Sequence, residues 1–202
     1  MNWIKGEIHR FREKTVPKKF FDIIFIGFIV FLLFPDGRIA LQRLIVNTGI
    51  MNTQIEAENR VTISENVFQN FVFSDDQGLQ HSLSEFKGQV IFLNFWATWC
   101  PPCRAELPSI TNLYHKMENK EGIKFLFLSY EKHEVVNVFA ADFGTDIPFS
   151  FLTFKVPGEL NPPGLPTTFV IDKSGRIVSQ TNGMANWDSE DFILQLESLI
   201  KE

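Results

Sequence analysis

The stretch VIFLNFWATWCPPC, residues 90–103, decides the fold of this chain. Its first seven residues are almost continuously apolar, which is typical of a central strand in a sheet covered on both faces. A helical pattern follows, and its first turn holds two prolines, where a missing N–H group loses no hydrogen bond. The sequence therefore predicts a strand over 89–96 and a helix over 101–118. Pro108 is expected to kink that helix by removing one backbone donor.

Cys100 and Cys103 are the only cysteines among the 202 residues. A Cys-X-X-Cys pair at a strand-to-helix junction suits reversible dithiol–disulfide chemistry. A zinc knuckle would need two further ligands, and a structural disulfide would close only one helical turn. We expect Cys100, at an exposed helix start whose free N–H groups stabilise a thiolate, to be the attacking nucleophile. Cys103, one turn later, is then the resolving thiol.

Two blocks of sequence resemble a known family. Residues 92–108 are similar to the active-site block of the thioredoxin superfamily, and more narrowly of its TlpA/ResA-like branch of membrane-tethered thiol–disulfide oxidoreductases. Residues 164–176 (GLPTTFVIDKSGR) resemble the cis-proline strand of that branch and the turn after it. The resemblance covers roughly residues 62–202. It implies a thioredoxin-like α/β fold, in which helices flank a central mixed sheet.

The resemblance also implies roles for single residues. Glu106 matches a glutamate that lies near the cysteine pair, where a partly buried carboxylate would have a raised pKa and relay protons. The alternative is an ordinary solvated glutamate. Asn94 stands where thioredoxin carries a buried aspartate, and an amide cannot titrate.

Pro166 matches the cis-proline, and the backbone of Leu165 is expected to pair with substrate as an added strand. The residues that flank the cysteines are expected to contact substrate as well: Trp99, Pro101 and Pro102. The loop 183–187 is expected either to face substrate or to pack. Residues 156–164 lie where many relatives have a short helix, but three prolines and two glycines disfavour one here.

The remaining elements follow from hydrophobic periodicity and turn signals. Strands are predicted over 67–73, 79–83 and 123–129, a hairpin over 167–172 and 176–182, and helices over 131–143 and 187–200. Residues 148–154 fit either a strand or a loop. Helix 131–143 is expected to present one apolar face, formed by Val135, Val138, Phe139 and Phe143.

Four segments divide the chain: a basic cytoplasmic segment 1–19, a transmembrane anchor 20–34, a linker 35–61 and the catalytic domain 62–202. Residues 1–34 carry six Lys/Arg against three Asp/Glu, although the whole chain has a net charge of −5. By the positive-inside rule the N-terminus stays in the cytoplasm and the domain lies outside. The acidic domain argues against nucleic acid as a partner.

The apolar run 20–34 spans roughly 22 Å as a helix, against roughly 30 Å for the hydrocarbon core of a bilayer. We favour an uncleaved single-pass anchor; a cleaved signal peptide and a buried core helix are the alternatives. Residues 38–46 form either an interfacial helix on the outer membrane surface or a packed linker.

These observations predict an extracytoplasmic thiol–disulfide oxidoreductase. The resemblance implies a reductase of protein disulfides, for example of apocytochrome c before haem attachment, recharged by a transmembrane thiol electron donor. No bound cofactor and no metal is expected, because the Cys100–Cys103 pair carries the electrons. The alternatives are a disulfide-forming oxidase and a non-catalytic copper-delivery module that uses the cysteines as ligands.

Overall fold

The computed structural model of this chain describes residues 18–48, 53, 55 and 61–202. Most of the predicted basic segment 1–19 and much of the linker 35–61 therefore lie outside the described residues. Within the described part, eight strands form one sheet: β1 Val61–Thr62, β2 Val72–Ser74, β3 Gln80–Ser82, β4 Val90–Phe95, β5 Ile123–Ser129, β6 Phe149–Phe151, β7 Thr167–Ile171 and β8 Arg176–Asn182. The described helices are α1 Lys18–Leu33, α2 Pro35–Asn47, α3 Glu65–Asn70, α4 Pro101–Met117, α5 His133–Phe143 and α6 Glu190–Lys201.

The strands follow the order β1-β8-β7-β4-β5-β6-β2-β3, so the sheet is mixed. Strand β4 lies near the centre, where it runs parallel to β5 and antiparallel to β7. Strand β6 continues the parallel part beside β5. The carboxyl ends of β4 and β5 therefore meet at one edge of the sheet, together with the beginning of β7.

Two apolar clusters cover the two faces of the sheet. Phe92 belongs to the cluster that packs under α4, α5 and α6, whereas Ile91 and Leu93 belong to the cluster under α3. This alternation explains why the sequence of β4 is apolar except at Asn94, since successive side chains enter the two different cores. All six residues of β4 are buried.

Helix α4 carries one buried face against the sheet. Its buried positions recur at helical spacing: Cys103, Ala105, Glu106, Leu107, Ser109, Ile110, Leu113 and Met117. Pro108 lies inside the helix and on its exposed side. The predicted helix is therefore confirmed, while its kink at Pro108 stays a prediction.

Two sequence predictions are wrong in detail. Residues 65–70 form α3 and only 72–74 form a strand, because Val67, Phe68 and Phe71 bury one helical face rather than alternate. In α5 the fully buried side chain is Val136, while the predicted core residues Val135 and Val138 are exposed.

The chain before α6 also differs from the sequence prediction. The helix begins at Glu190 with Ser189 as its N-cap, so residues 187–189 precede it. Within 156–164, residues Gly158–Leu160 form a short 3-10 helix, and Leu160 is buried in the apolar cluster under α3, called the lower core from here on.

The two N-terminal helices meet at a sharp corner. Apart from the half-buried Leu32, every apolar side chain between Phe20 and Leu33 is exposed. Within the described part of the chain, no single helix has the length and apolarity to cross a membrane. The two segments Phe20–Leu33 and Gly37–Val46 reach the required length and apolarity only when they are taken together, and the chain bends by 94° between them. The transmembrane anchor thus stays a prediction.

Helix α2 packs against the domain. Ile39 is 4% exposed and Val46 is 1% exposed, whereas Leu44 faces solvent. Of the two alternatives for residues 38–46, this favours the packed linker.

Candidate active site

Cys100 and Cys103 form a disulfide at the start of α4, with their Cα atoms 5.3 Å apart. Cys100 is the N-cap residue of the helix, and its Sγ accepts a hydrogen bond from the backbone N–H of Cys103 at 3.3 Å. The second sulfur thus lies one turn from the first, where it can attack a mixed disulfide on Cys100.

The dipeptide Pro101-Pro102 limits how the helix start can stabilise a Cys100 thiolate. A helix normally offers free N–H groups in its first turn, but proline has none. The Cys103 N–H is therefore the first backbone donor of α4, and it points at Cys100 Sγ. Within the first turn of α4, backbone hydrogen bonding to a Cys100 thiolate therefore rests on this one group.

Glu106 is fully buried beneath the disulfide-bearing turn. Its Oε2 accepts hydrogen bonds from Trp187 Nε1 at 2.9 Å and from the Ala185 N–H at 3.1 Å. Its Oε1 accepts one from Asn94 Nδ2 at 3.1 Å, and the same amide donates to Thr168 Oγ1. A carboxylate that receives three donors is built into the core rather than solvated.

Burial raises the pKa of Glu106 from 4.5 to about 7, although hydrogen bonds from Trp187, Ala185 and Asn94 work in the opposite direction. The side chain therefore titrates near neutral pH, where a group can both accept and return a proton. The sequence predicted a partly buried Glu106 side chain, and the structure shows it completely buried. The alternative of a solvated glutamate is wrong.

A residue that follows β5 holds the loop between β4 and α4 in place through hydrogen bonds. The carboxylate of Glu131 accepts hydrogen bonds from the Thr98 N–H at 2.6 Å and from Thr98 Oγ1 at 2.7 Å. The Glu131 N–H in turn donates to Ser129 Oγ at the end of β5. The role of Glu131 was not predicted from the sequence. Glu131 follows the end of β5, which runs parallel to β4, and this position would have predicted that it lies at the same edge of the sheet as the cysteine loop.

The Leu165–Pro166 peptide bond is cis, as the sequence predicts. Thr167, the next residue, pairs with Phe95 at the end of β4, so Pro166 lies at the edge of the sheet from which the chain continues to Cys100. Pro166 is buried and Leu165 is half-buried against both cores. The structure thus brings the proline loop and the cysteine loop to one edge.

Exposure separates the residues around the disulfide. Trp99 is 69% exposed, while Pro101 and Pro102 are half-buried. Cys100 is only 3% exposed, so the expectation of an exposed first cysteine is wrong for this oxidised form.

The loop 183–187 packs rather than faces solvent at its centre. Ala185 and Trp187 are both buried, and both donate to Glu106. The role of Trp187 was missed, since nothing in the sequence links it to a residue 81 positions earlier. Among the described residues, no group of three or more His, Cys, Asp or Glu side chains is placed to hold a metal ion.

A mixed sheet with a Cys-X-X-Cys pair at the start of a helix, opposite a cis-proline loop, defines a thioredoxin-fold thiol–disulfide oxidoreductase. A profile of the AhpC/TSA family matches residues 65–180, and the chain belongs to this family.

Curated relatives agree with this class. The chain is 34% identical over 172 residues to the thiol-disulfide oxidoreductase ResA of Geobacillus kaustophilus (strain HTA426), a match covering 78% of this chain and 97% of the relative. It is 32% identical over 174 residues to ResA of Bacillus subtilis (strain 168), covering 79% and 94%.

Solved structures agree with the fold. A thiol:disulfide interchange protein of the thioredoxin family from Chlorobium tepidum TLS matches with a TM-score of 0.55 and 26% identity, over 71% of this chain and 99% of that one. StoA from Bacillus subtilis matches with a TM-score of 0.51 and 24% identity, over 64% and 94%.

Proposed function

We propose that this enzyme reduces disulfide bonds of protein substrates outside the cytoplasm while its N-terminal helix holds it at the membrane. The observation that carries the proposal is the Cys100–Cys103 disulfide above a buried Glu106 whose pKa is raised to about 7. The similarity to ResA proteins, named thiol-disulfide oxidoreductases, supports the reaction class. No bound metal or organic cofactor takes part in the proposed reaction.

Two exchange steps complete the proposed reaction. The Cys100 thiolate attacks one sulfur of a substrate disulfide, which forms a mixed disulfide and releases the other substrate sulfur as a thiolate. The Cys103 thiolate then attacks Cys100 Sγ, which forms the Cys100–Cys103 disulfide and releases the second substrate thiol. The substrate gains two electrons, and a transmembrane thiol donor returns two electrons to the enzyme.

The residues around the pair have separate proposed roles. Trp99, Pro101 and Pro102 contact the substrate beside the sulfur, and the backbone at Leu165, before Pro166, pairs with the substrate chain. Glu106 takes up a proton as Cys103 ionises and returns it to the leaving thiolate, directly or through water. Its near-neutral titration suits both directions of transfer.

Anchoring is supported by the exposed apolar surface of α1. Side chains such as Ile23, 69% exposed, have no partner in the domain that would explain an apolar helix in water. The Lys/Arg excess before this helix favours a cytoplasmic N-terminus. Protein substrates and the electron donor would then meet the enzyme on the outer side.

The reaction is tested with the full chain in detergent, insulin as the disulfide substrate and a dithiol as reductant. Cys100→Ser should abolish turnover, while Cys103→Ser should accumulate a mixed disulfide that is seen on non-reducing gels. Wild-type turnover by Cys100→Ser would show that the nucleophile is assigned wrongly.

Anchoring is tested by fractionating cells and adding protease to the outer face. The full-length chain should stay with the membrane after a carbonate wash, and its domain should be cleaved from outside. A soluble product that lacks residues 1–34 would contradict the anchor.

A further inference from the structure

Pro108 leaves one carbonyl group of α4 without its helical partner. In a regular helix the N–H of residue 108 would donate to the carbonyl of residue 104, and proline has no N–H. The Arg104 carbonyl belongs to the residue directly after Cys103, within the turns that carry the disulfide. A carbonyl left unpaired in this half-buried part of the helix would cost free energy, so it calls for another donor.

Arg43 of α2 supplies a donor to this carbonyl. Its Nη2 donates to the Arg104 oxygen at 3.4 Å, a long hydrogen bond made by a charged group. Its guanidinium carbon also lies 5.0 Å from the centre of the Phe143 ring, at the end of α5. The side chain is therefore inserted between α4 and α5, where it is half-buried.

Helix α2 is itself fixed at both sides. Its buried residues Ile39 and Val46 hold it to the domain. At the corner with α1, a Cβ on Gly37 would lie 2.0 Å from the Phe31 carbonyl oxygen, so only glycine allows this approach. The hydrogen bond from Arg38 Nε to the Leu32 carbonyl, 2.6 Å long, joins α2 only to α1 and does not hold Arg43 against α4. Arg43 is thus presented by a packed helix and not by a loose tether.

We propose that Arg43 is a positioning residue for the dithiol: it completes the hydrogen bonding of α4 at the proline and places a positive charge near its first turns. The inference rests on the dithiol exchange proposed above. A cation near the start of α4 stabilises the thiolate form of the reduced enzyme more than the uncharged disulfide. It matters more here, because Pro101 and Pro102 remove two donors that usually do this.

The experiment measures the equilibrium of the full chain with dithiothreitol at about pH 8.5, near the ordinary thiol pKa. One dithiothreitol gives two electrons and two protons to the Cys100–Cys103 disulfide, and becomes its own cyclic disulfide. Arg43→Met keeps much of the apolar stem but removes the charge. It should lower the equilibrium constant for reduction about two- to fivefold, the range for one charge at a helix end.

Matched variants separate this role from general effects. Arg38→Met removes an equal charge from the same helix without touching α4, and it should leave the constant unchanged. Arg43→Lys keeps the charge and should recover part of the shift. Pro108→Ala returns an N–H group for the Arg104 carbonyl, so Arg43→Met should have a smaller effect in that background.

Hydrogen exchange of the backbone amides of residues 104–107 reports the same contact, and it should accelerate in Arg43→Met but not in Arg38→Met. Equal constants for Arg43→Met and wild type would overturn the proposal, as would equal shifts in the two methionine variants. Faster exchange with no change in the constant would leave Arg43 as a purely structural contact. A wild-type chain that never equilibrates with dithiothreitol would instead refute the proposed function.

Discussion

Replacing Glu106 with glutamine should remove a pH dependence of stability that the structure places on one group. Burial raises the pKa of Glu106 to about 7 in the folded protein, from 4.5 for an ordinary glutamate. Because the folded pKa is the higher one, the folded state binds the proton more tightly between these two values. The associated stability is fully present below about pH 4.5 and is lost as pH rises through about 7. A shift of this size corresponds to about 3 kcal/mol.

The assay is urea unfolding of the oxidised wild type and Glu106→Gln at several pH values between 4.5 and 8.5. The unfolding free energy of wild type should fall by about 3 kcal/mol more than that of the variant over this range. The Asn94 amide can rotate so that its oxygen accepts a hydrogen bond from the amide group of the new glutamine, which then has a partner. Glu134→Gln, at an exposed position of α5, controls for loss of one negative charge.

Parallel curves for wild type and Glu106→Gln would refute the reasoning, because they would mean that Glu106 stays ionised in the folded protein. A second readout concerns the thiols. Removing a carboxylate near the cysteines should lower at least one thiol pKa and slow exchange near neutral pH. Alkylation of Cys100 as a function of pH measures the first effect, and insulin reduction measures the second.

Two further predictions concern the neighbours of the disulfide. Trp187→Phe removes the indole donor to Glu106 and should destabilise the fold by about 1–3 kcal/mol, with the larger loss above pH 7, where the carboxylate is charged. Urea unfolding at two pH values measures this difference, and equal losses at both would contradict the prediction. Glu131→Ala leaves both donors of Thr98 without this acceptor and should slow thiol–disulfide exchange at Cys100, while the unfolding free energy changes less than in Trp187→Phe. Stopped-flow reduction kinetics measure the exchange rate, and a wild-type rate would show that the loop does not depend on Glu131.

Local patterns sufficed for the elements that carry the dithiol. The apolar run of β4, the helix that begins at Pro101 and the hairpin of β7 and β8 lie within a residue or two of their predicted bounds. Each of these depends on a strong local signal: a long buried run, a proline pair, or a Ser-Gly turn. The same holds for the cysteine pair, whose spacing alone defines one helical turn.

Predictions failed where the local sequence fits two kinds of structure and contacts with distant residues determine which one forms. Residues 67–73 carry apolar side chains that fit both alternation and a short helix, and burial of Val67 and Phe68 in the lower core decides for α3. The partners of Glu106 could not be found from sequence, because Trp187 and Asn94 reach it from distant elements. Thr98 and Glu131 are likewise 33 residues apart and meet only through the register of β4 and β5.

The near-complete burial of both cysteines in the oxidised form has a consequence for the timing of electron flow. Cys100 and Cys103 are 3% and 2% exposed, beneath a surface on which Trp99 projects. Exchange requires a thiolate to approach one sulfur along the line of the S–S bond, so a small thiol should react more slowly here than with an exposed disulfide. A partner that first docks beside Trp99 would be aligned by that contact. We therefore expect the oxidation state of the pair to persist between encounters, and electrons to pass mainly after a partner has been recognised.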